Sequence, residues 1–245
     1  MARRPAQPDD REGLAHLVDL FRETVPPLHP KGLPFVVGPA AVAVLGRKHP
    51  WISRPAMALA GASALFFRHP SRVPPTGDGL VVAPGDGTIA LVDEAIPMPE
   101  LGLGDKPLPR VSTFLSVFDV HVQRVPISGR VLSVQHTPGK FLSADLPEAS
   151  SENERTAMTI AAGADASGPR IGVVQIAGLI ARRIVCDPAP GDQLTIGDTY
   201  GLIRFGSRVD VYFPEGTELK VTVGQRAVGA ETILGQLPAV QKSGR

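Results

Sequence analysis

LVVAPGDGTIALVDE, residues 80–94, sets the character of this chain: two runs rich in valine, leucine and isoleucine flank a Pro-Gly-Asp-Gly turn. The pattern predicts two short strands, because β-branched side chains fit a pleated surface while Gly, Pro and Asp supply the backbone angles of a reversal. It recurs downstream in VSTFLSV (111–117), RVLSVQ (130–135), IGVVQIA (171–177), RRIVC (182–186), RVDVYF (208–213) and ELKVTV (218–223). Short strands at such spacing, with few helical windows, predict a barrel-like or sandwich-like body. Residues 138–156 (PGKFLSADLPEASSENERT) lack the alternation and read as a long loop, a feature that in a compact domain is usually functional or disordered.

Upstream the character changes. Leu14, Leu17, Val18 and Phe21 fall at i, i+3, i+4 and i+7, which predicts a short amphipathic helix stopped by Pro26-Pro27. Two apolar stretches follow, LPFVVGPAAVAVLG (33–46) and WISRPAMALAGASALFF (51–67), the second broken by Arg54-Pro55. Neither is a convincing span, which needs about 20 predominantly apolar residues. Arg47, Lys48, His49, Arg54, Arg68, His69 and Arg72 fringe them, the pattern of a segment resting on an anionic lipid surface. The alternative is two helices buried in a globular core. The expected architecture is therefore α+β and predominantly β, with an N-terminal helical, membrane-associating region over 1–75 and a β-rich domain over 76–245. No apolar run follows the charged first 13 residues closely enough for a secretory signal, so the expected location is peripheral, on the cytoplasmic face of the cell membrane.

Composition excludes several functions. In 245 residues, 43% hydrophobic, the net charge is +1, which gives no electrostatic case for nucleic acid. The single cysteine, Cys186, excludes an intrachain disulfide and any multi-cysteine zinc site, and reads as a buried small hydrophobe. The six histidines show no close metal-ligand spacing, so no metal is expected. Walker, GxGxxG, GxSxG and HExxH motifs are absent.

Seven segments taken together resemble the phosphatidylserine decarboxylase family in its short bacterial form: FFRHPSRVPP (66–75), PGDGTI (84–89), FLSVFDVHVQRVPISG (114–129), ENER (152–155), VQIAGLIARRIVC (174–186), GLIRFGSRVD (201–210) and GAETILG (229–235). They keep the family's order over roughly two-thirds of the chain. The resemblance implies a proenzyme that cuts itself between Gly206 and Ser207 into a beta chain (1–206) and an alpha chain (207–245), which stay together. It implies that the Ser207 hydroxyl attacks the Gly206 carbonyl, that elimination at the resulting ester leaves dehydroalanine, and that hydrolysis with loss of ammonia leaves a pyruvoyl group. That group would form a Schiff base with the serine amine of the lipid and act as an electron sink, yielding phosphatidylethanolamine and CO2 without a metal or an external cofactor.

The resemblance also assigns supporting residues. His121, in FDVHVQRVP, corresponds to a family histidine near the pyruvoyl and is the candidate acid/base; a packed strand histidine is the alternative. Asp86, in PGDG, matches an acidic position that orients the histidine, although a turn aspartate explains it equally. Longer members carry a second histidine where this chain has Arg124, whose fork suits phosphate or carboxylate but cannot act as a base. That departure leaves the self-cleavage base open. Lys140, Arg182 and Arg183 are candidate headgroup contacts, or a solvated basic face. Two other functional readings stay open: the same chemistry on another serine lipid, and a non-enzymatic β-barrel binding module. A higher oligomer is compatible with all of them.

Overall fold

The computed structural model describes residues 25–144, 146, 148–163, 166–179, 183–204 and 206–238. The helix expected at 14–21 and Arg182 lie outside them. The chain divides into two compact units, Met1–Arg72 and Val73–Arg245.

In the first unit, α1 (Leu33–Leu45) and α2 (Pro50–Phe66) form a helical hairpin around a turn at Gly46. Arg54-Pro55 does not break the second helix as expected: α2 runs through Pro55, its sixth residue, whose missing N–H leaves the Trp51 carbonyl of the first turn without its helical donor. Small residues mark the buried positions, Ala43 in α1 and Ala60 in α2, with Phe66 and Phe67 closing the base. Phe67 stacks on Phe35 at 5.4 Å between ring centroids. The remaining apolar surface is largely exposed, including Val37, Val42, Val44, Leu45, Trp51, Met57 and Leu59. The reading of these helices as buried core elements therefore fails. No helix among the described residues is long and apolar enough to cross a membrane.

The second unit is β throughout, apart from a one-turn helix and a short 3-10 turn. Its strands are β1 (Leu80–Val82), β2 (Gly87–Ala95), β3 (Leu108–Leu115), β4 (Val122–Arg124), β5 (Gly129–Thr137), β6 (Arg155–Ala162), β7 (Arg170–Ile176), β8 (Arg183–Cys186), β9 (Gln193–Leu194), β10 (Thr199–Arg204), β11 (Ser207–Tyr212), β12 (Glu218–Leu219), β13 (Arg226–Ala227) and β14 (Ile233–Gln236); α3 covers Ala149–Glu152. An eight-stranded sheet, ordered β13-β2-β3-β11-β7-β6-β5-β9, curls into a half-barrel. Two three-stranded sheets, β1-β14-β12 and β4-β10-β8, accompany it. The strand ladders are antiparallel. Val111, Leu115, Met158, Ile160, Val173, Ile203, Val209, Val211 and Phe213 are among the side chains of one continuous core.

The fold is predominantly β, as expected, with more strands than the alternation revealed. Four of the six interior residues from Thr156 to Ala161 are apolar, the other two are threonine, and all six are buried, so β6 carries no polar-out signal of period two. Conversely, the run expected over 218–223 shortens to Glu218–Leu219. The loop expected over 138–156 contains α3 and is pinned by Asn153, which is fully buried. Asn153 donates to the carbonyls of Leu142 and Ala177 and accepts from the Leu142 N–H at 2.8–2.9 Å.

Candidate active site

β10 ends at Arg204 in the small β4-β10-β8 sheet, and β11 begins at Ser207 in the centre of the large sheet. Gly206 is the joint between them. Its φ of +68° lies in the left-handed region, where a side chain is disfavoured and glycine is not. Register then assembles the surroundings. Ser207 pairs with Leu115 at the end of β3, so the following turn, 116–121, passes Gly206 and Ser207. Arg208 pairs with Ile176 on the other side, which brings Ala177-Gly178 alongside. A Cβ on Gly178 would come within 2.4 Å of the Gly206 carbonyl oxygen; only glycine lets the two backbones approach this closely.

Ser207 is fully buried and its hydroxyl has no hydrogen-bond partner among the described residues, as is also the case for the buried hydroxyls of Ser112, Thr113 and Tyr200. An orphaned buried hydroxyl costs free energy, about 1–3 kcal/mol; what sets Ser207 apart is its place beside Gly206 and His121. His121, 1% exposed, stands beside it. The Gly206 N–H donates to His121 Nε2 at 3.1 Å, and His121 Nδ1 lies 3.0 Å from the Asp119 carbonyl oxygen. A carbonyl only accepts, so Nδ1 carries the proton and Nε2 presents its lone pair to the Gly206–Ser207 junction. This is the tautomer a general base needs.

The turn holding His121 is itself fixed by Asp119, a residue the sequence reading did not single out. Its carboxylate accepts from the Ser116 N–H at 2.8 Å, from the Ser116 hydroxyl at 2.7 Å and from Arg226 at 2.5 Å. Burial alone would push the Asp119 carboxyl up; the hydrogen bonds from Arg226 and Ser116 outweigh it and hold the group below its ordinary range. The Ser116-Val117-Phe118-Asp119 spacing, a hydroxyl three residues before a carboxylate, was the available signal.

Asp86 is half-buried and accepts the Gly229 N–H at 2.8 Å, so its turn is tied to the hairpin that follows β13. Its charge also helps to raise the pKa of Arg226, after the dominant hydrogen bond that Arg226 donates to Asp119. Arg124 donates to the Gly197 carbonyl at 3.2 Å, at the far end of β4 from His121. Lys140 is exposed and paired with Glu152 at 2.6 Å. Cys186 is partly buried and packs against the core. A cleft of about 890 Å3 lined by Gly77–Leu80, Ile127, Ser128, Ser167 and Pro238 contains none of the expected site residues.

Arg208, immediately after Ser207, is 2% exposed and forms a two-pronged ion pair with Asp210 at 2.8 and 3.0 Å. It also donates to the Ala144 carbonyl and to the Ser150 hydroxyl. The start of β11 is thereby fastened to the 144–150 segment across the junction. No cluster of three or more His, Cys, Asp or Glu residues suited to a metal occurs among the described residues.

This geometry is a left-handed glycine joint followed by a buried hydroxyl, with a histidine nitrogen hydrogen-bonded to the joint. Residues 59–235 match the family model described as phosphatidylserine decarboxylase, and the chain belongs to that family. It is 64% identical over 239 residues to a protein of Nocardia farcinica named phosphatidylserine decarboxylase proenzyme, covering 97% of this chain and all of that one. Proteins of the same name from Rhodococcus jostii (60% over 240 residues) and Mycobacteroides abscessus (58% over 242 residues) are each covered completely by 97% of this chain.

Proposed function

We propose that this chain is a self-processing, pyruvoyl-dependent decarboxylase that converts phosphatidylserine to phosphatidylethanolamine and CO2. Family membership carries the reaction class, and the buried, partnerless Ser207 hydroxyl beside Gly206 carries the processing chemistry. Ser207 Oγ adds to the Gly206 carbonyl carbon while His121 Nε2 takes the hydroxyl proton. The Gly206–Ser207 C–N bond breaks and an ester replaces the amide. Loss of the Ser207 Cα proton then breaks the Cβ–O bond, freeing the Gly206 carboxylate. One water enters and one ammonia leaves as the new end of the alpha chain becomes a pyruvoyl group.

The site fits that group: the position is buried, dry of competing hydrogen bonds, and bordered by Gly178, where no Cβ intrudes. When in place, the pyruvoyl carbonyl supplies an electron sink for the bond that loses CO2. His121 then faces the reacting centre as a proton donor or acceptor, and Asp119, through its backbone carbonyl, keeps the ring oriented. Processing leaves two chains, 1–206 and 207–245. They remain associated because β11 lies hydrogen-bonded between β3 and β7, both in the longer chain.

The substrate's acyl chains require a lipid surface. Supporting a peripheral seat on the cytoplasmic face of the membrane are the exposed apolar hairpin of α1 and α2 with its basic fringe, and an apolar rim at the junction itself. Val117, which lies against Gly206, is 41% exposed, Phe118 75% and Leu179, next to Gly178, 63%. The reaction is tested with phenylhydrazine, a carbonyl reagent. It is expected to label the 207–245 chain and abolish CO2 release from phosphatidylserine vesicles. Full activity without labelling would overturn the pyruvoyl assignment.

A further inference from the structure

The base and the reacting serine belong to different sheets. His121 immediately precedes β4 of the small β4-β10-β8 sheet, whereas Ser207 opens β11 in the large one. The 3.1 Å hydrogen bond from the Gly206 N–H to His121 Nε2 therefore depends on how the small sheet lies over the large. A strand rises about 3.3 Å per residue, so a slip of β4 by a single residue would exceed the whole length of that contact. Apolar contact is non-directional, and a directional bond between the sheets is what would hold the register.

Gln175, in β7, makes such a bond. It lies opposite Val209 of β11, two residues along from Ser207. Its amide meets all three strands of the small sheet. Nε2 donates to Gln123 Oε1 on β4 at 2.6 Å and to the Val185 carbonyl on β8 at 3.1 Å. On β10, the strand between them, Gly201 pairs with Gln123 on one side and with Cys186 on the other. A Cβ at Gly201 would lie 3.2 Å from Gln175 Nε2, so glycine leaves the amide its room. Both glutamines are buried, Gln123 completely. Their orientation is determined by the acceptor: the Val185 carbonyl must face a nitrogen, and Gln123 can meet that same nitrogen only with its oxygen. Gln123 Nε2 and Gln175 Oε1 are then left without partners among the described residues. Orphaned amide atoms in a dry interface are a cost that an apolar pair would not carry, and a directional role accounts for them.

We propose that Gln123 and Gln175 are positioning residues for self-processing: their amide pair sets the register of the His121 strand over the sheet that carries Ser207. The inference rests on the processing reading above. Positions 121 and 123 share a face of an extended chain, and the contacts agree, since His121 meets Gly206 and Gln123 meets Gln175. His121 is thus held from both sides in sequence, by the Asp119 carbonyl before it and by the Gln123 amide after it. The glutamines move no proton themselves; they act through the ring they place.

The test uses methionine, which matches glutamine in length and lacks the amide. Gln123→Met, Gln175→Met and the double variant are made in the full chain, and the appearance of the 207–245 chain is followed by intact mass. Each single variant is expected to slow processing about 10- to 100-fold, the scale of a reacting group displaced by about 1 Å. The double variant should be no slower than the slower single one, because both break the same bond. Its thermal midpoint should stay close to the parent's, because the orphaned atoms go with the bond. Parent-rate processing in the single variants, or multiplied slowing in the double one, would overturn the proposal. So would slowing that merely tracks lost thermal stability across the three variants. A parent chain that never processes strikes the processing reading instead. A readout without processing then decides the register role: isotope-labelled Ser207→Ala protein is expected to show a scalar coupling across the hydrogen bond from the Gly206 N–H to His121 Nε2. Adding Gln175→Met should abolish that coupling while the thermal midpoint holds, and its persistence would refute the proposal.

Discussion

The helical hairpin and strand β11 are both rich in apolar residues, yet they treat them in opposite ways. All six residues of β11, Ser207–Tyr212, are buried, flanked on both sides by paired strands. In the 13 residues of α1 only Ala43 is buried, and Leu45 is 86% exposed. Burying one large aliphatic side chain is worth about 1.5–3 kcal/mol, so the hairpin forgoes a gain that the body collects. The body uses its dryness for chemistry: His121, Asp119, Ser207, Arg208 and Asp210 are all buried, and of these the Ser207 hydroxyl is left without a partner. The lesson is a division of labour. The strands make a water-excluding frame in which several polar side-chain atoms, the Ser207 hydroxyl among them, have no partner among the described residues, and the helices leave their apolar surface exposed.

The sharpest way to break this contrast is Ser207→Ala. The chain is expected to fold and to stay whole, with no CO2 release from phosphatidylserine vesicles; a cut or active variant would mean that the frame is not built around this hydroxyl. His121→Ala is expected to slow processing by about 100- to 10,000-fold, the usual worth of a positioned acid/base group, followed as the rate of appearance of the short chain. Wild-type rates would return His121 to the role of a packed strand residue. Arg208→Met tests the fastening of the severed strand. Removing one partner of a buried ion pair costs about 3–5 kcal/mol, and thermal unfolding should show it, with loss of the 207–245 chain from the complex.

Two smaller effects sharpen the other half of the comparison. Leu45→Asp in the hairpin is expected to reduce partition onto anionic vesicles about tenfold or more, on the scale of one exposed leucine, while processing proceeds at the parent rate. Reduced processing with unchanged flotation would reverse the assignment of roles. Asp119→Asn is the mildest change. Its folded-state carboxyl is held below the ordinary value, so its contribution is fully present above the unfolded pKa and is lost only as pH falls through the depressed one. Arg226 is 60% exposed, so solvent screens the pair and the contribution is about 0.2–1 kcal/mol. Thermal stability should stay flat from neutral to mildly acid pH where Asp119 governs it; a loss of stability centred near neutrality would assign the dependence to another group.

Much of this was legible from sequence because it rests on local spacing. The apolar helices and most strands came from local patterning, whereas Gly206, Ser207 and His121 were singled out only by the resemblance of seven segments, taken in order, to a known family. What escaped was set by pairing over long distances. β6 hid because burial on both faces removed its alternation. Asp119 hid because its value lies in holding a turn whose histidine meets Gly206 across 85 residues of chain. Arg124 and Lys140 were attractive as cations, but Gly197 and Glu152 engage them, and neither partner is near them in sequence.

Conversion of Ser207 into the reactive group is the step on which everything else depends, and an intact-mass spectrum of the purified protein under denaturing conditions tests it most directly. Two chains divided between residues 206 and 207 are expected, the shorter one lighter by one ammonia than a peptide beginning with serine. A single chain of 25.8 kDa that stays whole after incubation with phosphatidylserine-containing membranes would contradict it.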